Sequence, residues 1–170
     1  MWRKVKWVLG TMLVAVVSGS TKPAATRVMS HEFIVVYVGV EGVDHAMKGL
    51  ADTVRLAAAR RLVGPGQQLV LRGVSLDPDV ATGMRDLALV GSFNEVSLGG
   101  NWTNSSVVHY LGGDFGRAYE RASVPQVIVL ERDVDNQITA LYVGPEHEIA
   151  RYIGTKDIWD WAKGGAPFSK

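Results

Sequence analysis

The sequence predicts an α/β fold, in which helices flank a central β-sheet. Short β-branched apolar runs, such as residues 33–38 and 126–130, come before or after segments whose apolar residues recur at helical spacing. Strands that alternate with helices favour parallel βαβ units. A further apolar run at residues 138–143 follows the acidic turn at residues 133–136 and predicts another strand.

Composition excludes several classes of function. The 170 residues are 47% hydrophobic and 21% charged, which is ordinary for a globular domain. A formal net charge of +1 argues against a strongly basic protein, so we expect no nucleic-acid partner. The chain has no cysteine, and this rules out disulfides, thiolate nucleophiles and cysteine-ligated metal centres.

The first 20 residues predict export or anchoring. Three basic residues lie within residues 3–6, an apolar run covers 7–17, and small residues follow at 18–20, which is the layout of a secretory signal. A helix over residues 7–19 would span about 20 Å at ~1.5 Å per residue, short of a hydrocarbon core of roughly 30 Å. A cleaved signal peptide is favoured; an uncleaved anchor or an ordinary hydrophobic element are the alternatives. With a signal or an anchor, the domain lies on the periplasmic or extracytoplasmic side.

The first half of the domain predicts a βαβ unit after a linker at residues 21–31. A strand at 33–38 is followed by a helix from Asp44, as its N-cap, to about residue 63, and by a strand at 68–76. The buried stripe predicted for this helix is Met47, Leu50, Ala51, Val54, Ala58 and Leu62. Asp77 as N-cap and Pro78 at the first position predict a second helix. Its predicted apolar face is Val80, Met84, Leu87 and Ala88.

The second half predicts further strands and short helices. Residues 93–98 are a candidate short strand, and glycines bracket a predicted insertion at 99–113, with a helix over 105–111 capped by Thr103 or Asn104. A helix at 114–121 leads to the strand after Pro125. A strand at 138–143, a final helix at 147–153 and a C-terminal tail at 155–170 complete the chain.

The C-terminal half resembles thioredoxin-like domains. The resemblance is carried by Val124 and Pro125, the strand, the acidic turn, the second strand and the run Val143, Gly144, Pro145. It is nearest to the branch that holds the membrane-tethered cytochrome-maturation thioredoxins and the peroxiredoxins, and it covers residues 33–153, so the domain is set at 32–154. The resemblance implies a three-layer fold, with a central mixed sheet flanked by helices, and a cis bond before Pro125, which would face reactive cysteines.

Those cysteines are missing, so the corresponding loop is a degenerate active site: Gly42, Val43, Asp44 and His45. Asp44 and His45 could serve as a base or as metal ligands facing Pro125. The preferred interpretation is an N-cap aspartate beside a surface histidine. The four histidines are scattered without metal-ligand spacing. We therefore expect no catalytic residues, no cofactor and no metal site.

All five tryptophans lie outside the predicted core, in the N-terminal segment, the insertion and the tail. Tryptophan is enriched at membrane interfaces and among the anchor residues of protein interfaces. The alternative for Trp159 and Trp161 is that they fold back on their own domain. The predicted membrane or partner contacts are Trp2, Trp7, Trp102, Tyr110, Trp159, Trp161 and Phe168.

These observations favour a redox-inactive thioredoxin-like accessory or structural subunit. It would be membrane-associated through its N-terminal segment and would bind subunits of a membrane protein complex on the periplasmic face. The alternative is a soluble periplasmic peptide-binding or chaperone-like module that uses a groove beside Pro125. A third hypothesis is a cysteine-independent enzyme, for which no acid–base pair stands out.

Overall fold

A computed structural model describes residues 29–112, 123–137 and 140–168 of the protein. The predicted signal or anchor segment with Trp2 and Trp7, most of the linker, and the predicted helix at 114–121 lie outside these ranges. Among the residues in these ranges, no helix has both the length and the apolar character that are needed to cross a membrane.

The described residues form one mixed sheet of six strands. The strand bounds are β1 Met29–Gly39, β2 Gln67–Ser75, β3 Glu95–Ser97, β4 Gln126–Gln137, β5 Ala140–Val143 and β6 His147–Ile153. β1 pairs with β2 in parallel and with β4 antiparallel, and β3 extends the parallel part beside β2. β5 and β6 both pair antiparallel with the other edge of β4. The predicted α/β fold with a mixed sheet is therefore confirmed.

Helices cover both faces of the sheet. They are α1 Leu50–Arg61, α2 Val80–Val90, α3 Ser105–Leu111 and α4 Thr155–Lys163, with two short 3₁₀ helices, Asp44–Met47 and Asn101–Thr103. Alternate side chains of β1 point to opposite faces. Val35 and Tyr37 join a core beneath α1, α2 and α4. Val36 and Val38 join a second core, closed by Val107 and Leu111 of α3 and therefore by the segment predicted as an insertion.

Two of the predicted helix starts are wrong, because their aspartates are used elsewhere. Asp44 begins only a 3₁₀ turn, and α1 starts at Leu50 after Gly49, whose φ of 78° interrupts the helix. α2 is capped by Asp79, which accepts a hydrogen bond from Thr82 N at 2.7 Å, rather than by Asp77. The cap of α3 was predicted correctly, since Asn104 accepts from Ser106 N.

The apolar stripe of the first predicted helix is confirmed, since Met47, Leu50, Ala51, Val54 and Ala58 are buried and Leu62 is half-buried. The stripe of the second is confirmed only at Leu87, because Val80, Met84 and Ala88 are exposed. Besides Leu87, α2 buries Gly83, Asp86 and Val90. The close packing of Gly83 against β2 decides this rotation, since a Cβ there would lie 2.6 Å from Ser75 Oγ.

Residues 147–153 form strand β6, so the prediction of a final helix there is wrong. Val127 of β4 pairs with Tyr152, and Ile128 pairs with Arg151. Tyr152 packs on the first core, while Arg151 hydrogen-bonds Gln126 at 2.8 Å. The long edge of β4 supplies backbone partners that a seven-residue segment cannot supply by itself.

The domain extends beyond both predicted limits. β1 begins at Met29, so residues 29–31 are strand rather than linker. The predicted tail forms α4 and packs on the first core: Trp161 is 5% exposed and its ring lies 5.2 Å from that of Tyr152. Phe168 packs against Phe33 at 5.5 Å. Trp161 and Phe168 are therefore core residues rather than partner contacts.

We predict that Trp161→Ala lowers the free energy of unfolding by about 3–5 kcal/mol, because it removes a buried aromatic and leaves a cavity. Trp102→Ala is the matched control, since Trp102 is 49% exposed and should change stability by no more than about 0.5 kcal/mol. Urea denaturation measures both values. Equal effects of the two substitutions would contradict the assignment of residues 155–168 to the core.

Candidate functional site

The candidate site lies where the parallel strands β1 and β2 end. Because the two strands are parallel, their carboxyl ends meet at one edge of the sheet, with Gly39 paired to Ser75. In open α/β sheets, this edge is where ligands bind. The loop after β1 carries Asp44, and Asp77 follows β2 by two residues.

Three buried carboxylates converge at this edge. Asp44 and Asp77 are joined by Asp86 of α2, and each offers a carboxylate oxygen within 4.8 Å of those of the other two. Their exposed fractions are 0%, 2% and 3%. Such a group of oxygen atoms could hold a metal ion.

Asp44 is oriented by β1. The hydroxyl of Tyr37 donates a hydrogen bond to Asp44 Oδ1, and both groups are buried. Gly39 leaves room for this pair, because a Cβ there would lie 2.6 Å from the Tyr37 hydroxyl oxygen and would also clash with Asp44 Oδ1. The absence of a side chain at residue 39 is therefore a requirement of the site.

Asp77 is held from two sides. Its Oδ2 accepts from the Ser75 hydroxyl at 2.6 Å, and its Oδ1 accepts from the backbone N of Glu41 at 3.0 Å. The second bond ties the loop after β1 to the end of β2. Asp77 therefore holds the loop after β1 against the end of β2, and it does not cap a helix.

Within the part of the chain that the structure describes, two carboxylate oxygens of the cluster have no hydrogen-bond donor: the buried Oδ2 atoms of Asp44 and Asp86. Arg85, a mostly exposed side chain, donates to Oδ1 of Asp86 at 3.3 Å. Buried oxygens without donors are costly in a folded protein, and they are uncommon outside sites with a function.

The electrostatics favour a proton or a cation at Asp44. Burial raises the pKa of Asp44 from 3.8 to about 6; the hydrogen bond from Tyr37 opposes this shift, and the charges of Asp77 and Asp86 add to it. Burial and the neighbouring Asp44 carboxylate raise the pKa of Tyr37 far above its ordinary value. Tyr37 therefore remains a hydrogen-bond donor at all ordinary pH values.

The predicted degenerate loop contributes a single side chain to this cluster. Gly42 adopts φ of 84°, Val43 turns the backbone by donating to the Val40 carbonyl at 3.1 Å, and His45 is exposed. The buried Asp44 was predicted as an N-cap, which is wrong.

The Val124-Pro125 bond is cis, and the Pro125 carbonyl accepts from Gly154 N at 2.9 Å.

Sequence reasoning missed Tyr37 and Asp86 and gave Asp77 a different role. A usable signal was present: an aspartate follows each of two predicted parallel strands. Asp86 is harder to recognise, because it occupies the buried stripe of α2 in place of an apolar residue. Only the rotation of α2, set by Gly83, shows that its carboxylate points inward.

A second polar cluster lies on the opposite face of the sheet and uses Tyr110. Arg72 donates to the Tyr110 hydroxyl at 2.7 Å and to Glu146 at 2.5 Å. Arg132 reaches Glu146 at 3.3 Å and Glu32 at 2.7 Å. Burial by itself raises the pKa of Glu146, but the hydrogen bond from Arg72 and the two guanidinium charges hold it below its ordinary value. Tyr110 is thus a structural hydrogen-bond partner of Arg72.

This charged cluster borders a groove of about 580 Å³. Ile128 and Leu130 line the groove together with Tyr110, Glu146 and Arg151.

Of the other predicted contact residues, Trp102 is exposed, whereas Trp159 is half-buried and donates from Nε1 to the Ala46 carbonyl at 2.9 Å.

The chain matches no protein-family model, and it has no significant similarity to a curated protein or to a solved structure.

We predict that the pH dependence of stability reports the state of Asp44. Its pKa is higher in the folded protein than in the unfolded chain, so the folded state binds more protons between pH 3.8 and about 6. The contribution of Asp44 to stability is therefore complete below pH 3.8 and falls by about 3 kcal/mol as pH rises to about 6.

Asp44→Asn should remove that decline, while the exposed Asp52→Asn should preserve it. Urea denaturation from pH 4 to pH 7.5, in buffer free of divalent cations, measures the difference between the two profiles. Parallel profiles for the two variants would contradict the buried, ionisable state of Asp44.

A separate prediction concerns the charged cluster. Arg72→Met should lower the free energy of unfolding by about 2 kcal/mol, because Glu146 and Tyr110 lose a charged hydrogen-bond donor. The exposed Arg60→Met is the control and should change it by at most about 0.5 kcal/mol. Chemical denaturation at pH 7 compares the two, and an effect of Arg72→Met no larger than the control would show that the cluster adds nothing to stability.

Proposed function

We propose that the protein is a thioredoxin-like accessory subunit without thiol chemistry, which binds a membrane protein complex on its periplasmic face. Support for the fold relationship comes from the order of the elements. A parallel βαβ unit is followed by a strand that begins after a cis proline, then by antiparallel strands and a terminal helix. The resemblance rests on this order, with the final helix at α4 rather than at residues 147–153.

The proposal that thiol chemistry is absent rests on the chain composition and on Asp44. No cysteine is present to exchange a disulfide or to reduce a peroxide. In the loop where the resemblance places the reactive residues, Asp44 is buried and hydrogen-bonded to Tyr37. A side chain that is buried and hydrogen-bonded in this way contacts the interior of the site, and a large substrate cannot reach it.

The single observation that carries the subunit proposal is the exposure of Trp102. Trp102 is 49% exposed on a short 3₁₀ turn, and Val96 of the edge strand β3 and Val80 of α2 are also exposed. A large exposed aromatic of this kind is typical of the anchor residues of protein interfaces.

The turn that carries Trp102 is held in place before any partner binds. Thr103 N donates to the Gly100 carbonyl at 3.0 Å, and Asn104 Nδ2 donates to the Gly99 carbonyl at 2.9 Å. Val80 packs beside this turn, since a Cβ at Gly99 would lie 3.0 Å from Val80 Cγ2. An anchor that is already ordered loses little conformational entropy on binding.

A peptide-binding module is the second candidate, and the groove on the α3 face favours it. Ile128 and Leu130 provide an apolar floor, with charged groups of Arg132 and Glu148 at its sides. An extended segment could lie there. This groove lies on the sheet face beneath α3, and it is the location that we would test in place of the predicted groove beside Pro125.

We predict that Trp102→Ala releases the chain from its complex. Native membranes that carry tagged wild-type chain, Trp102→Ala or Leu56→Ala are solubilised mildly and separated on a native gel. Mass spectrometry then locates the chain and its N-terminal peptide. Leu56 is 64% exposed on α1, far along the chain from Trp102, and is the matched control.

Wild type and Leu56→Ala should migrate with one large complex, while Trp102→Ala should migrate alone at an unchanged total amount. Wild-type chain that is free of membranes and begins near residue 21 would overturn the subunit proposal and favour the peptide-binding module. Binding of unfolded peptides that Val143→Arg abolishes would then support the groove, because Val143 lines it and is 45% exposed.

A further inference from the structure

We propose that Asp44, Asp77 and Asp86 bind one divalent cation of the class that prefers oxygen ligands, namely Ca²⁺, Mg²⁺ or Mn²⁺. This inference is independent of the proposed function, because it concerns the purified chain alone. Carboxylate oxygens are the ligands these ions favour in proteins. The cluster lies at the carboxyl ends of β1 and β2, the edge where open α/β sheets bind their ligands.

The spacing of the oxygen atoms fits one coordination sphere. Two oxygens bound to the same ion are separated by at most twice the metal–oxygen distance, which is roughly 4.2 Å for Mg²⁺ and about 4.6–5.2 Å for Ca²⁺. The three ligand atoms offered by the cluster all lie within 4.8 Å of one another, which is within the range for Ca²⁺ and wider than the limit for Mg²⁺. Ca²⁺ therefore needs the smaller movement of the side chains, whereas Mg²⁺ needs the carboxylates to move closer together.

A second observation points to a ligand in the cluster. Oδ2 of Asp44 and Oδ2 of Asp86 have no hydrogen-bond donor among the described residues, although both residues are almost completely buried. On each residue the other oxygen already accepts a hydrogen bond, from Tyr37 and from Arg85. The bonds to Oδ1 orient the carboxylates, as outer partners do in known metal sites, and leave the Oδ2 lone pairs for an ion.

The charge balance leads to the same conclusion. Three carboxylates lie in the interior, while the nearby positive groups are the mostly exposed Arg85 and, when protonated, the exposed His45. Removing several like charges from water is unfavourable unless a counterion accompanies them. One divalent cation would reduce the charge of the cluster from −3 to −1.

A proton is the competitor of the cation at this site. The groups that face Asp44 are Tyr37 from β1, Asp77 after β2, Asp86 from α2 and the adjacent His45. Carboxylates bind a cation in their deprotonated form, so a proton and the cation exclude each other from the cluster. Affinity for the cation should therefore weaken as the pH falls from 7.5 to 5.

A bound ion would fix the carboxyl edge of the sheet. It would join the loop after β1, the residue after β2 and helix α2, which are otherwise linked by single hydrogen bonds such as that from Glu41 N to Asp77. Ligands that bind the folded state raise its melting temperature. We expect a rise of about 5–10 °C when the cation is present at roughly 100 times its dissociation constant.

The test uses the purified full-length chain in mild detergent after treatment with a chelator. Ca²⁺, Mg²⁺ and Mn²⁺ are each titrated at pH 7.5 and pH 5, with calorimetry for stoichiometry and thermal unfolding for Tm. Asp44→Asn and Asp86→Asn preserve side-chain size and remove a charged ligand, while the exposed Asp52→Asn is the control.

We expect one-to-one binding by wild type and Asp52→Asn, with at least a tenfold loss of affinity in Asp44→Asn and Asp86→Asn. Broadening of the Glu41 and Ser75 amide resonances by Mn²⁺ in wild type locates the ion without any variant. The proposal is overturned if none of the three cations binds saturably at millimolar concentration at pH 7.5. It is equally overturned if Mn²⁺ binds but leaves those two resonances sharp.

Discussion

β1 is the strand on which the rest of the structure depends, because it is paired along both edges and covered on both faces. Its residues 33–38 are all buried, with alternate side chains in two separate cores. β2 pairs with one edge in parallel and β4 with the other antiparallel. A change of register by one residue would exchange the two faces and move both cores at once.

The direction of these pairings creates the carboxylate cluster. Parallel pairing brings the ends of β1 and β2 together, so that Asp44 and Asp77 meet, and the close approach of Gly83 to Ser75 brings Asp86 of α2 to the same place. Gly39 and Gly83 thus indicate the position of the carboxylate cluster more clearly than any polar residue nearby. Each provides the space that a buried acid or its hydroxyl partner occupies.

The two faces of the sheet are covered by different kinds of side chain. The first face is apolar and is closed by α1, α2 and α4, with Trp161 and Phe168 sealing it near the C-terminus. The second face combines an apolar core under α3 with the ion network of Arg72, Arg132 and Glu146. Every charge in that network has a partner of opposite sign, whereas Asp44, Asp77 and Asp86 have fewer cations than acids around them among the described residues.

The sequence alone determined the features that depend on neighbouring residues. Apolar periodicity located β1 and the buried stripe of α1, and the preference of asparagine for N-cap positions located the start of α3. Only the tertiary structure decided the rest, because the deciding partners are distant in the chain. Asp44 turns inward to Tyr37, residues 147–153 become a strand on the free edge of β4, and α4 folds back onto the first core. Local preference for a cap or a helix is weaker than the burial and backbone pairing that these distant contacts provide.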